Sequence, residues 1–288
     1  MKKKFIKLFE LFISIAVSVG FIYLFYVIIG FDKFVSFFSQ LSIINIFLAF
    51  VLYTGSYITR ALRWKIVLSI KEFKKLFKIT AFNTVFNIFL PFRTGELSFF
   101  YMLKKENIPF SESAISFFSV RIFDAISLFA VFGFSFFLFY SKPFFAILTL
   151  TLMPFSFLVL RYIVSFLKHE KIKEFQNTKL TLKNISVLYV LSVFTFFLKF
   201  TAFYLILPKG VDLSFIQAFF ASAAGDLTTI LPVHGIAGIG TYEGGYAGIL
   251  ILFGVDKEKA LLASVFVHLF MLLGAAIIAG FSYLFLRK

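Results

Sequence analysis

Seven charged side chains stand inside stretches that are otherwise apolar: Arg93, Glu96, Arg121, Asp124, Lys199, Asp226 and Glu243. A charge at the centre of a spanning helix costs about 2.5–3.5 kcal/mol on insertion scales, so such residues face a cavity, a partner or a substrate. Arg93 and Glu96 flank Gly95 just after Leu90-Pro91, and Glu243 closes Gly238-Ile239-Gly240-Thr241-Tyr242-Glu243 after Leu231-Pro232. Arginine meets phosphate with a planar fork of donors, and the free N–H groups of a helix start add positive potential. Glu96 and Glu243 would keep an empty site from being strongly positive, or would hold a coupling cation or proton. The chemistry suggested is recognition of an anionic head group.

The remaining polar residues of these stretches read less sharply. Arg121 and Asp124 share one helical face, which suits a structural ion pair and a head-group site equally. Asn83 and Asn87 share a face of the arm before Pro91, where hydrogen bonding between helices is the plainer reading; Asn87 also opens the motif that holds Arg93 and is kept as a substrate-binding candidate. Gly238 and Gly240 allow a tight turn and close packing. They are not a dinucleotide fingerprint, because no strand precedes them. Lys199 either pairs with Asp226 or reaches outward. His268 reads as a hydrogen-bonded packing residue rather than a proton carrier. No carboxylate cluster suggests a metal site, no nucleophile stands beside a base, and the chain has no cysteine. No cofactor is expected, and no enzyme activity.

These residues must be positioned by membrane-embedded helices. The 288 residues are 60% hydrophobic, with a mean hydropathy of +0.97. The net charge of +15 sits mostly in short segments between apolar runs, as the positive-inside rule requires, and is not a nucleic-acid signal. Apolar runs of spanning length lie at Leu11–Gly30, Ile43–Thr59, Ser113–Tyr140, Phe144–Leu160, Ile185–Leu207 and Ala260–Leu286. The arm Ile79–Leu90 reaches about 18 Å as a helix, just past half of a roughly 30 Å hydrocarbon core. Lysines flank it on both sides, at Lys74, Lys75 and Lys78 and at Lys104 and Lys105. The segment therefore reads as a re-entrant hairpin broken at Pro91. Phe215–Ile230 and Thr241–Phe253 form a second one around Pro232. Phe31–Ser42 reads as an outer loop and Arg161–Lys183 as a solvated basic loop.

The expected fold is an all-α polytopic membrane protein with about six full transmembrane helices and two Pro/Gly-broken re-entrant hairpins. It is one integral membrane domain, 1–288, built as an inverted repeat of halves 1–142 and 143–288. Paired broken segments in corresponding halves are the best sequence pointer to a transporter's binding site. Both termini are expected on the cytoplasmic side of the cytoplasmic membrane.

Four motifs in order carry a family resemblance. Arg60-Ala61-Leu62-Arg63-Trp64, Asn87 through Leu90-Pro91-Phe92-Arg93-Thr94-Gly95-Glu96, Arg121-x-x-Asp124, and Pro232 with Gly238-x-Gly240-x-x-Glu243 together resemble the flippase-like membrane domain of lysylphosphatidylglycerol synthases and its stand-alone relatives. Phe99 stands where many members carry an Arg, and Val120 where an acidic residue often precedes the Arg-x-x-Asp. The chain ends two residues after the last apolar run, so a stand-alone member without the synthase domain is expected. The resemblance implies a protein that moves lipids between leaflets. Its partners would be membrane lipids, either an anionic phospholipid or a polyprenyl-phosphate-linked one, with no nucleic acid and an open oligomeric state. A membrane enzyme acting on a lipid phosphate and a non-catalytic subunit are the alternatives; dependence on metal would mark the enzyme.

Overall fold

The computed structural model describes residues 2–90, 95–165, 170–229 and 235–286. Among them every regular element is helical. In chain order the helices are α1 (Lys2–Ile28), α2 (Phe31–Phe38), α3 (Ile43–Val67), α4 (Phe73–Phe89), α5 (Glu96–Lys105), α6 (Phe110–Phe139), α7 (Pro143–Leu152), α8 (Phe155–Ser165), α9 (Glu170–Thr178), α10 (Leu182–Leu205), α11 (Phe215–Thr228), α12 (Thr241–Leu252) and α13 (Lys257–Phe285).

Four of these, α3, α6, α10 and α13, are long and apolar enough to cross a membrane, and α1 with α2 makes a fifth if their 83° bend lies within one span. The chain is thus a multi-pass membrane protein. The bend follows Gly30, whose φ of +76° is open to glycine and awkward for other residues. The expected span Phe144–Leu160 is two helices, α7 and α8, separated at Met153-Pro154. Proline has no N–H to donate and its ring clashes with the carbonyl one turn back, so the helix stops there.

Two stretches read as loops contain helices. Phe31–Ser42 holds α2, whose Phe34 and Phe38 rings sit 5.4 and 5.0 Å from Phe266 on α13. Lys33 of α2 also pairs with Glu258. Arg161–Lys183 holds α9, which buries Phe175 and Gln176.

The chain forms two compact units. One draws on Met1–Val51, Asn83–Glu96 and Phe200–Ile277, the other on Leu52–Phe82, Leu97–Lys199 and Ile278–Lys288. Each takes chain from both expected half-repeats.

In the first unit α11 and α12 run antiparallel, with Phe220 against Phe253 at one end. Near the other end a Cβ on Gly245 would come 2.4 Å from Thr228 Cγ2 and 3.0 Å from Ala224 O, so glycine sets the spacing of the pair. Ser214 and Gln217 form a reciprocal capping box that starts α11, satisfying N–H groups the helix cannot. The end of α4 lies in the same unit. There Asn83 Nδ2 donates to Gly95 O at 3.4 Å, and a Cβ on Gly95 would lie 2.3 Å from Asn87 N. The chain therefore folds back onto the last turns of α4 before α5 begins.

In the second unit Trp64 of α3 packs on Phe99 of α5 at 4.5 Å, and Phe99 on Phe117 of α6 at 5.3 Å. Phe123 stacks on Phe157 at 3.9 Å, joining α6 to α8. Each such aromatic pair adds about 0.5–1.5 kcal/mol beyond the area it buries. Lys75, at the start of α4, reaches Glu106, just past α5, at 2.9 Å.

Candidate functional site

The segment Gly235–Gly240 leads into α12 and is almost wholly held by its own backbone and by short polar side chains. Gly235 N donates to Thr241 Oγ1 at 2.9 Å, and Thr241 Oγ1 donates to Gly238 O at 3.2 Å. Ile236 N donates to Ser18 Oγ of α1 at 2.8 Å. Gly240 adopts φ +89°, and a Cβ there would meet Val17 O at 2.9 Å. Both the conformation and the close approach of α1 require glycine at that position.

Glu243 sits one turn into α12, and one of its oxygens, Oε2, accepts from Gly240 N at 2.7 Å. The other, Oε1, lies 2.6 Å from His268 Nδ1 on α13. The far ring nitrogen, His268 Nε2, lies 3.0 Å from Ala237 O. Glu243 and His268 are 3% and 2% exposed. This geometry fixes the proton count. A carbonyl oxygen only accepts, so Nε2 carries a hydrogen. The 2.6 Å contact then needs one proton, either on Nδ1 as an ion pair or on Oε1 as a neutral pair. In both forms the couple has no net charge, which is how a buried carboxylate and imidazole avoid a large desolvation cost. Ala237, whose carbonyl anchors the ring, has φ 53° and ψ 21°. Left-handed backbone at a non-glycine residue stores strain and clusters at functional sites.

Among the predicted residues, Glu243, Gly238 and Gly240 are brought together here, with the Gly238 Cα facing the His268 ring. Glu96 is the first residue of α5 and Asn87 lies in the last turn of α4. Both belong to the same compact unit as Glu243. Asn87 Oδ1 is buried with no hydrogen-bond partner among the described residues. Pro91, Arg93, Pro232 and His234 lie outside the described residues. His268 is the residue whose place the sequence reading missed. Its only signal was a polar ring inside an apolar span, and nothing in the spacing points to Glu243.

Arg121 and Asp124 belong to the second unit, on α6. Asp124 is bonded by Arg63 of α3, whose Nη1 also donates to Ser192 Oγ of α10 at 2.7 Å. Arg63 is 2% exposed. The Arg121 guanidinium lies over the Phe117 ring, 4.9 Å from its centroid. The carboxylate thus finds a direct partner across three helices as well as a charge on its own. In the sequence Arg63 is part of a motif and of a basic flank, and nothing there signals its burial. Lys199 and Asp226 are also buried, on α10 and α11. Among the described residues no three His, Asp or Glu side chains gather as a metal site would require.

A family model for the lysylphosphatidylglycerol synthase TM region matches residues 11–279. The chain belongs to that family. Membership makes it a membrane protein linked to lipid metabolism. Within this lysylphosphatidylglycerol synthase TM region, the Glu243–His268 couple is buried on both sides, and the Arg63–Asp124 pair is buried on the arginine side. No curated protein and no solved structure matches the chain.

Proposed function

We propose that this protein moves a lipid with an anionic head group between the leaflets of the cytoplasmic membrane, through a polar site built by two broken helical hairpins. The substrate is an anionic phospholipid or a polyprenyl-phosphate-linked lipid. The observation that carries the reading is that the tip of the first hairpin, Asn83–Glu96, and the whole of α11 and α12 belong to one compact unit. The lengths support it too. At about 1.5 Å per residue, α11 and α12 reach roughly 21 and 18 Å, short of a 30 Å core. Broken backbone at that depth is tolerated only where protein buries it or water fills a cavity. The Lys75–Glu106 contact closes the base of the first hairpin, as a segment that enters and leaves on one side requires.

In this reading the topology is about six spans and two re-entrant hairpins, with α7 and α8 as one broken crossing. The halves 1–142 and 143–288 are inverted repeats, and both termini are cytoplasmic. Asn87, Arg93 and the helix starts hold the head-group phosphate, and the acyl chains stay in the bilayer. Glu96 offsets the positive field there, and in the second unit Arg121 offers a head-group contact of its own, offset by Asp124. The Glu243–His268 couple holds the coupling proton, and the Gly238–Gly240 turn carries its protonation state to the backbone. No covalent chemistry is involved.

The test is reconstitution. Purified protein in liposomes should speed the exchange of a fluorescent anionic lipid between leaflets, with little effect on a zwitterionic one. Glu243→Gln should lower that rate and flatten its pH dependence. Exchange no faster than in empty liposomes, under any pH gradient, would reject the transport reading.

A further inference from the structure

We propose that the cleft between α8 and α9 is a second, separate site, which binds the phosphate of an anionic phospholipid. The cleft has a volume of about 480 Å³ and is lined by Leu158, Arg161 and Tyr162 of α8 and by Lys173, Gln176 and Asn177 of α9. On both helices the lining positions are i, i+3 and i+4, so one face of each helix looks into the same space. Two of the six side chains are cationic, two are amides and one is a phenol. No Asp or Glu is among the described residues that line it.

The cleft is built rather than incidental. Gln176, buried although it sits in a highly charged helix, donates through Nε2 to Arg161 O at 2.7 Å. The Arg161 guanidinium donates to Leu180 O just beyond α9. These two bonds fasten α9 across the end of α8 and fix the direction of the guanidinium. One N–H of five is used on Leu180, and a planar fork held in place suits phosphate bidentately. Lys173 adds a point charge from the opposite wall.

The shape of the surroundings selects a lipid over a soluble phosphate. The α9 wall is cationic and polar. The α8 wall continues into exposed apolar side chains, Phe155, Leu158 and Val159, on a helix whose composition suits hydrocarbon. A ligand with a charged head and an apolar body matches both walls at once. Phosphate alone would use only one of them. All six residues belong to the unit that does not contain Glu243, so this site stands whether or not the hairpins transport anything.

Protein stripped of lipid in detergent can be titrated with short-chain phosphatidylglycerol, short-chain phosphatidylcholine and inorganic phosphate, with bound ligand counted by native mass spectrometry. Phosphatidylglycerol should saturate one site that Lys173→Glu and, separately, Asn177→Asp each weaken about tenfold. Both substitutions leave the Gln176 and Arg161 bonds in place, and the second serves if the first does not fold. Glu243→Gln should leave this binding as it is. Unchanged phosphatidylglycerol binding in the folded variants would overturn the proposal. Inorganic phosphate occupying the site as tightly as phosphatidylglycerol would overturn its assignment to a lipid.

Discussion

His268 Nδ1 and Glu243 Oε1 lie 2.6 Å apart, while Nε2 of the same ring faces Ala237 O. The imidazole therefore joins Glu243 of α12 on one side to a left-handed turn on the other. The hydrogen-bonded packing residue expected at His268 is thus also the link between Glu243 and the backbone that leads into α12.

The two substitutions of Glu243 should differ sharply in stability. Glu243→Gln keeps an oxygen for Gly240 N and a donor for His268 Nδ1, so unfolding in detergent should move by less than about 1 kcal/mol. Glu243→Ala removes both bonds and strands a buried imidazole, at a cost of about 2–4 kcal/mol. Thermal unfolding of the two variants checks this. Equal losses would mean the couple is not made as described.

Arg63 should matter more to folding than Arg121. Arg63→Ala removes a side chain that is 2% exposed together with its bonds to Asp124, 27% exposed, and to Ser192, a loss of about 1.5–3 kcal/mol. Arg121→Ala removes a contact with Phe117 that contributes about 1 kcal/mol. Yield of monodisperse protein and its unfolding temperature should rank the variants in that order. A double-mutant cycle between Arg63 and Asp124 should give a coupling above about 1 kcal/mol.

The glycines of α12 make a controlled series. A Cβ on Gly244 or Gly248 meets open space, whereas on Gly245 it meets Thr228 and Ala224 of α11. Gly244→Ala and Gly248→Ala should be neutral or should stabilise by up to about 1 kcal/mol through helix propensity. Gly245→Ala should destabilise, because α11 and α12 must separate. Gly95→Ala should be worse still, since its Cβ would fall on the backbone of Phe86 and Asn87.

Topology has a direct chemical test. Single cysteines at Lys74 and Lys104 should react with an impermeant maleimide from the same face of sealed vesicles. A cysteine pair replacing Lys75 and Glu106 should be joined by a bifunctional maleimide whose length matches the two side chains replaced, since their tips meet at 2.9 Å. Opposite-face labelling of the two single variants would exclude a re-entrant first hairpin.

Much of the fold was legible in the residues because its signals are local. Long apolar runs announce α3, α6, α10 and α13, and the glycines before Glu243 announce a break ahead of α12. What stayed hidden depends on partners distant in the chain. Nothing within Phe31–Ser42 shows that Phe34 and Phe38 pack on Phe266, and without that contact the stretch looks like a loop. The i, i+3 spacing of Arg121 and Asp124 was readable, while the bond from Arg63 to Asp124 has no periodicity to betray it. His268 and Glu243 are in the same position. The break in the span expected at Phe144–Leu160 was carried by Pro154 and could have been seen there.

Interleaving of the two compact units has a consequence for synthesis. Asn83, Asn87 and Glu96 leave the ribosome long before any residue of Phe200–Ile277, with which they form one unit. At about 5–20 residues per second, the intervening hundred or so residues take roughly 5–20 s to emerge. Over that interval this segment sits in or beside the bilayer before the rest of its unit exists. The nascent chain is then most exposed to degradation between the emergence of α5 and that of α11, and a slow stretch of translation there would lengthen the window.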